Sequence, residues 1–201
     1  MQSNSNAAVL TVEQILTSSE LDQARLYLQQ THDGMIDAIK GLTEAQGRFK
    51  PGPGSWSIAE IVEHVIFVQE RILGPIREQL ATAPAGPADR AYSLVDAIVV
   101  NHFPNRLTKF QAPEFSHPKG GLALSEGVDR VATNARRFVE YLESTQDLRR
   151  HVLESPPLKA VSKGEHQVMD GYQWILAAAA HTDRHAKQIL EVKADANFPA
   201  N

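Results

Sequence analysis

Apolar positions recur with a period near 3.6 over four long stretches of the 201-residue chain, and each predicts a helix. The first runs over about 20–44, with Leu21, Ala24, Leu28, Met35, Ile39 and Leu42 on one stripe and Ser18 or Ser19 as its cap. Gly34 weakens it locally. The second, about 58–81, follows the turn-forming KPGPGS of residues 50–55. Ser57 and Glu60 there have the spacing of a capping box, with Trp56 and Ile61 at the positions of a hydrophobic staple. The third, about 126–145 with Ser125 as cap, carries Val128, Val131, Ala135, Phe138, Val139 and Leu142. The last ends near Ala194 and opens with a second capping box, Asp170 and Gln173, and second staple positions, Met169 and Trp174. No alternating strand pattern stands out, so the expected class is all-α.

Between the second and third helices lie residues 84–124, broken by Pro84, Pro87, Pro104, Pro113 and Pro118. SLVDAIVVNHF (93–103) predicts one short helix there and the rest reads as loop. A crossover of this length in a compact helical protein is usually functional or covers something. Residues 1–17 read as a loose lead-in, and SPPLKAVSKGE (155–165) as a further loop.

Composition narrows the function. Hydrophobic residues at 42% and charged residues at 22% are ordinary globular values, and 201 residues suit a single domain spanning 1–201. A net charge of −4 without a Lys/Arg block gives no attraction for nucleic acid. No apolar run approaches a membrane span, and the N-terminus does not resemble a signal peptide, so a cytoplasmic protein is expected. With no cysteine there are no disulfides, no thiolate ligands and no cysteine nucleophile.

The candidate chemistry lies in the histidines. His181 and His185, four apart in WILAAAAHTDRHAKQI, project from one helix face together with Trp174, Ala178, Gln188 and Val192. Eight histidines yield about 0.3 such pairs by chance, so the pair alone is a weak signal. His64 strengthens it, because it shares an inward stripe with Ile61 and Val68 on the second helix. Three imidazoles from two facing helices make a divalent-metal site with open positions, which suits catalysis better than structure. Imidazole suits Zn, Ni, Fe or Cu alike. Glu60, one turn before His64, has capping as its first duty, with orientation of the imidazole or proton transfer near the metal as alternatives. His32 reads as a core-edge residue, His102 and His117 as solvated loop residues, and His151 and His166 as flanks of the 155–165 loop. Arg136 and Arg137 read as solvated charges beside the third stripe, with a reach of one of them toward an anionic substrate as the alternative.

Trp56, Ser57, Glu60 and His64, followed by His181, Thr182, Arg184, His185, Gln188 and Ile189, give the chain a WSxxExxxH and an HTxRHxxQI motif. In these it resembles the DinB-like (DinB/YfiT) superfamily of metalloenzymes, over nearly its whole length. The resemblance implies a four-helix bundle with a long crossover between helices two and three. It also implies a three-His site for a divalent ion (Zn, Ni or Fe) at His64, His181 and His185. It extends to thiol-dependent transferases and isomerases acting on small molecules. Without cysteine, such a reaction would need a low-molecular-weight thiol cosubstrate, while hydrolysis of a small molecule needs none. Expected partners are a small-molecule substrate, neither nucleic acid nor membrane, and a second copy of the chain in a homodimer. A non-catalytic metal-binding or small-molecule-binding bundle remains the alternative, since a helical core needs no metal.

Overall fold

The computed structural model describes residues 15–87, 89–107 and 110–200; residues 1–14 of the expected lead-in lie outside them. The element order is α1 (Ser18–Ile39), α2 (Glu44–Arg48), α3 (Ile58–Gln79), α4 (Tyr92–His102), α5 (Leu124–Ser144), β1 (Val152–Glu154), α6 (Pro156–Val161), β2 (Val168–Asp170) and α7 (Gly171–Lys193). The protein is mostly helical, with one short antiparallel ribbon that the hydrophobic pattern did not predict: Val152 pairs with Asp170, Leu153 with Met169 and Glu154 with Val168. None of its helices is long and apolar enough to cross a membrane, among the described residues.

Local chemistry accounts for the helix starts. Ser57 caps α3 and Asp170 caps α7, each with the reciprocal bond of a full capping box, to Glu60 and Gln173 respectively. Two starts differ from expectation. Thr17, not Ser18 or Ser19, caps α1, because Glu20 stands three residues after it and completes the box. Ser125 does not cap α5. The helix begins at Leu124, whose N–H donates 3.3 Å to the Glu44 carboxylate of α2, so a neighbouring helix supplies the acceptor. The long first stripe also breaks earlier than expected. α1 ends at Ile39, Gly41 takes φ 75°, and Thr43 starts the separate α2 with its own box to Gln46.

Contacts set the helix directions. The Tyr172 hydroxyl donates to the Glu20 carbonyl and the Lys193 ammonium to the Ala38 carbonyl, so α1 and α7 run parallel. His64 meets His181 while Leu80 lies against Gly171, so α3 opposes α7. Asn134 bonds Gln69, and the Tyr141 hydroxyl points at the Ile76 carbonyl, so α5 runs parallel to α3. Gly127 permits that close approach, since a Cβ there would stand 2.8 Å from Val62.

The apolar core falls into two clusters. One gathers Ala24, Leu28, Leu73, Phe138, Tyr172 and Ile175; the other gathers Met35, Ile61, Val65, Val131 and Ile189. A polar layer separates them. Gln69 donates 3.0 Å to Thr182 and accepts 3.2 Å from Asn134, all three buried. Hydrogen bonding within the layer offsets the cost of burying it. His181 directly precedes Thr182 of this layer on α7, and His64 and His185 lie further toward the second cluster.

Candidate metal centre

His64 sits in the second turn of α3, seven residues after its cap, with the Trp56 ring 4.8 Å from its own, centroid to centroid. His181 and His185 sit mid-way along α7. His64 and His185 are buried and His181 partly so. Nε2 of His181 lies 3.3 Å from Nε2 of His64 and 3.1 Å from Nε2 of His185. One nitrogen from each ring lies within 4.8 Å of the other two, and among the described residues this is the one group of three or more metal-ligating side chains that close.

Outer contacts fix two of the tautomers. Nδ1 of His64 lies 2.8 Å from the Ser116 carbonyl, which can only accept, so this nitrogen carries the proton. Nδ1 of His185 lies 2.8 Å from Oε1 of Gln188. Arg106 donates to that same oxygen at 3.4 Å, and because arginine can only donate, the amide presents its oxygen here. Both Nε2 atoms are therefore lone pairs aimed at His181. A neutral His181 has one N–H at most to offer them at Nε2, so at least one close contact sets lone pair against lone pair. A cation between the rings resolves it. Nitrogens ~2.05 Å from a tetrahedral ion stand about 3.3 Å apart, close to the two short distances observed. The donor set thus fits a divalent ion.

The electrostatics agree. Burial pushes the His64 imidazole below its usual value, against the pull of the Ser116 carbonyl. Burial first, then the neighbouring His64, pushes His185 down to about 3. Burial, with His185, His64 and Arg184 adding to it, holds His181 well below the usual range. All three rings are neutral at pH 7, the state a metal ligand needs. Nδ1 of His181 is enclosed and has no hydrogen-bond partner.

A model of the DinB superfamily matches residues 27–189. The chain belongs to the DinB superfamily. Among solved structures it is similar to YfiT from Bacillus subtilis, described as "a probable metal-dependent hydrolase with an unusual four-helix bundle topology". The TM-score is 0.57 at 12% identity, covering 94% of this chain and 95% of that one, a likeness of fold. Comparison with curated proteins finds no significant sequence match.

The remaining candidates of this DinB-superfamily chain do not join the triad. Glu60 is engaged as a cap, accepting from the Ser57 N–H at 2.8 Å and from Lys50 at 2.7 Å. His117 is exposed, edge-on to Trp56, and His102 is exposed. His32 bonds Asp33, His151 bonds the Ala83 carbonyl, and His166 lies beyond α6, a short helix where a loop was expected. Arg136 and Arg137 are exposed, as read. Sequence reasoning missed the Ser116 carbonyl and Arg106, both from the segment between α4 and α5. That segment crosses α7 beside the triad, held by Arg184 bonded to the Asn105 carbonyl and by Arg106 paired with Glu191. The prolines and length of 84–124 were its sequence signal.

Proposed function

We propose that His64, His181 and His185 hold one divalent metal ion and that the protein is a metal-dependent enzyme acting on a small molecule, a hydrolase in first reading. The observation that carries this is the convergence of three imidazole nitrogens, two with tautomers set so that their free lone pairs face inward. The description of YfiT as a probable metal-dependent hydrolase favours hydrolysis over transfer to a thiol cosubstrate. The ion, when bound, supplies Lewis-acid polarisation of a substrate and activation of water. The chain's own part is to hold the imidazoles neutral and oriented: the Ser116 carbonyl turns His64, and Gln188, steadied by Arg106, turns His185. Three protein ligands leave a position for substrate, since a closed structural site normally has four.

We read the architecture as a single-domain four-helix bundle of α1, α3, α5 and α7, with the segment from Leu80 to Ala123 as its crossover. The parallel course of α3 and α5 supports this, because such a pair needs a connection that returns the length of the bundle. The test is elemental analysis of untagged protein. About one ion per chain is expected, lost in His64→Ala, His181→Ala and His185→Ala and kept in His32→Ala, His102→Ala, His117→Ala, His151→Ala and His166→Ala. Full occupancy with unchanged affinity in His64→Ala would overturn the assignment. Metal-dependent turnover of model esters and amides, abolished by chelation and restored by the ion, tests hydrolysis.

A further inference from the structure

Along α3, Phe67 and Arg71 follow His64 at helical spacings of three and seven, on the same side of the helix. From the crossover, Phe115 comes to meet them. Its ring centroid lies 6.5 Å from that of Phe67, and the Arg71 guanidinium carbon lies 5.2 Å from the Phe115 centroid and 6.0 Å from that of Phe67. Phe115 is not a remote surface residue. It adjoins Ser116, whose carbonyl holds His64, so the peptide that orients one metal-site imidazole also fixes this ring beside the site. Yet 66% of Phe115 is exposed.

Arg71 differs from Arg106 in its partners. Arg106 is paired with Glu191, whereas Arg71 pairs with no carboxylate among the described residues and is held by the two aromatic faces alone. Stacking on rings orients a guanidinium and leaves its N–H edge open to an anion. The structure therefore presents, from the triad outward, three inward-facing nitrogens, an exposed aromatic platform, and an oriented cation without a counter-ion among the described residues. Seven helical residues place Arg71 about 10 Å along α3 from His64.

We infer that Phe67, Phe115 and Arg71 form a substrate subsite: an apolar body lies on the Phe115 ring, and an anionic group at its far end bonds Arg71 while the reactive end meets an ion at the triad. The substrate class is an elongated small molecule with a carboxylate or similar anion about 10 Å from the group that reacts. This rests on the triad holding a metal ion, and the test separates the two claims. Cobalt-loaded protein is titrated, with the visible spectrum recorded, against acetohydroxamate, octanedioic acid monohydroxamate (whose chain is of that length) and the methyl ester of the latter.

Acetohydroxamate should perturb the spectrum equally in the native protein and in Arg71→Gln. The free acid should bind about tenfold more tightly than its ester to the native protein, an advantage that falls as salt rises and disappears in Arg71→Gln. Phe115→Ala should weaken acid and ester alike and spare acetohydroxamate. Both substitutions are at exposed positions, so folding should be retained. If acetohydroxamate binds but the acid has no advantage, or keeps it in Arg71→Gln, the subsite is overturned and the metal reading stands. If cobalt does not bind, the metal reading falls and the subsite with it; if cobalt binds and acetohydroxamate leaves its spectrum unmoved, the ion has no open position, and the catalytic reading and the subsite both fall while a structural metal remains.

Discussion

α7 carries a buried polar cluster at its start and another mid-way along, and they are built on opposite rules. At the start, Arg149, 1% exposed, donates to Glu20 at 2.5 Å, to Asp96 at 2.7 and 3.2 Å and to Asp170 at 3.2 Å, with the Tyr172 ring 4.4 Å from its guanidinium carbon. Arg90 adds a 2.8 Å bond to Asp170 and others to Val168 and Gln173. Burial works against the Arg149 charge, but the surrounding carboxylates more than offset it and raise its pKa above the ordinary guanidinium value. The bonds of both guanidiniums end on carboxylates, a carbonyl or an amide oxygen. The triad meets the opposite condition: its nitrogens face like groups. A buried polar cluster that closes on itself is architecture, because nothing remains for a ligand to satisfy. One whose valences point at each other is completed only by a guest.

The largest expected effect comes from breaking the closed cluster. Arg149→Met should leave Glu20 and Asp96 without their counter-charge and cost about 3–5 kcal/mol, the usual scale for removing one partner of a buried ion pair. Urea unfolding measures it. The affinity of the folded fraction for metal should not change, and a matching loss of affinity would show the two clusters to be one unit.

Acid should then separate the two. The triad imidazoles have folded pKa values below the unfolded value near 6.5, so the unfolded chain binds more protons and stability rises with pH. Their contribution is complete above that value and is lost progressively as pH falls from it toward about 3, where His185 titrates. Glu20, its carboxyl lowered despite burial by bonds from Thr17 and Arg149, loses its contribution only as pH falls below the ordinary carboxylate value of 4.5. The metal-free protein should weaken already from the unfolded histidine value near 6.5 down to the ordinary carboxylate value of 4.5, before Glu20 begins to titrate, and saturating metal should flatten that segment. Because the rings resist protonation, the ion should also persist below the pH at which free imidazole would release it. A metal-free stability curve flat down to the carboxylate range would contradict the neutral-triad reading.

The features legible in the sequence were those carried by local spacing. The capping boxes at Ser57 and Asp170, the pair His181 and His185, and the inward stripe of His64 each depend on residues within a turn or two. What escaped depends on distant partners. Arg149 carries no local signal in the sequence, because its partners Glu20, Asp96 and Asp170 come from three other elements. The α5 cap was misplaced because its acceptor is Glu44. The ribbon of Val152–Glu154 and Val168–Asp170 is too short to show a period. The Ser116 carbonyl has no sequence signature at all, since every residue carries one.

A smaller effect is expected from the contacts that aim the ligands. Gln188→Leu removes the acceptor of the His185 Nδ1 proton and should weaken metal binding about 10–100-fold. Nitrogen chemical shifts of His185 in metal-free protein should show the Nδ1–H tautomer in the native chain and a mixture in the variant. Gln188→Glu keeps the acceptor and should retain the tautomer. A native tautomer in Gln188→Leu would show that the amide does not set it.

The smallest effect compares the same device at both clusters. Ser57 caps α3 with its hydroxyl 3.3 Å from the Glu60 N–H, and Asp170 caps α7 with a carboxylate 2.8 Å from the Gln173 N–H. Ser57→Ala should cost about 1 kcal/mol, the usual value for an N-cap. Its consequence should reach the metal, because His64 lies within two turns of the cap and packs on Trp56, so a frayed first turn moves the imidazole off its lone-pair direction. Metal affinity should fall several-fold, a loss of the same order as the cap's own energy. Asp170→Ala removes a cap and an ion partner of two arginines together, and so should destabilise by more than Ser57→Ala. His181 lies eleven residues further along α7, however, so its metal affinity in the folded state should stay as in the native protein. Calorimetric titration of both variants with zinc makes the comparison. Equal metal affinities in the two, with only stability separating them, would mean that the α3 cap is architecture as well.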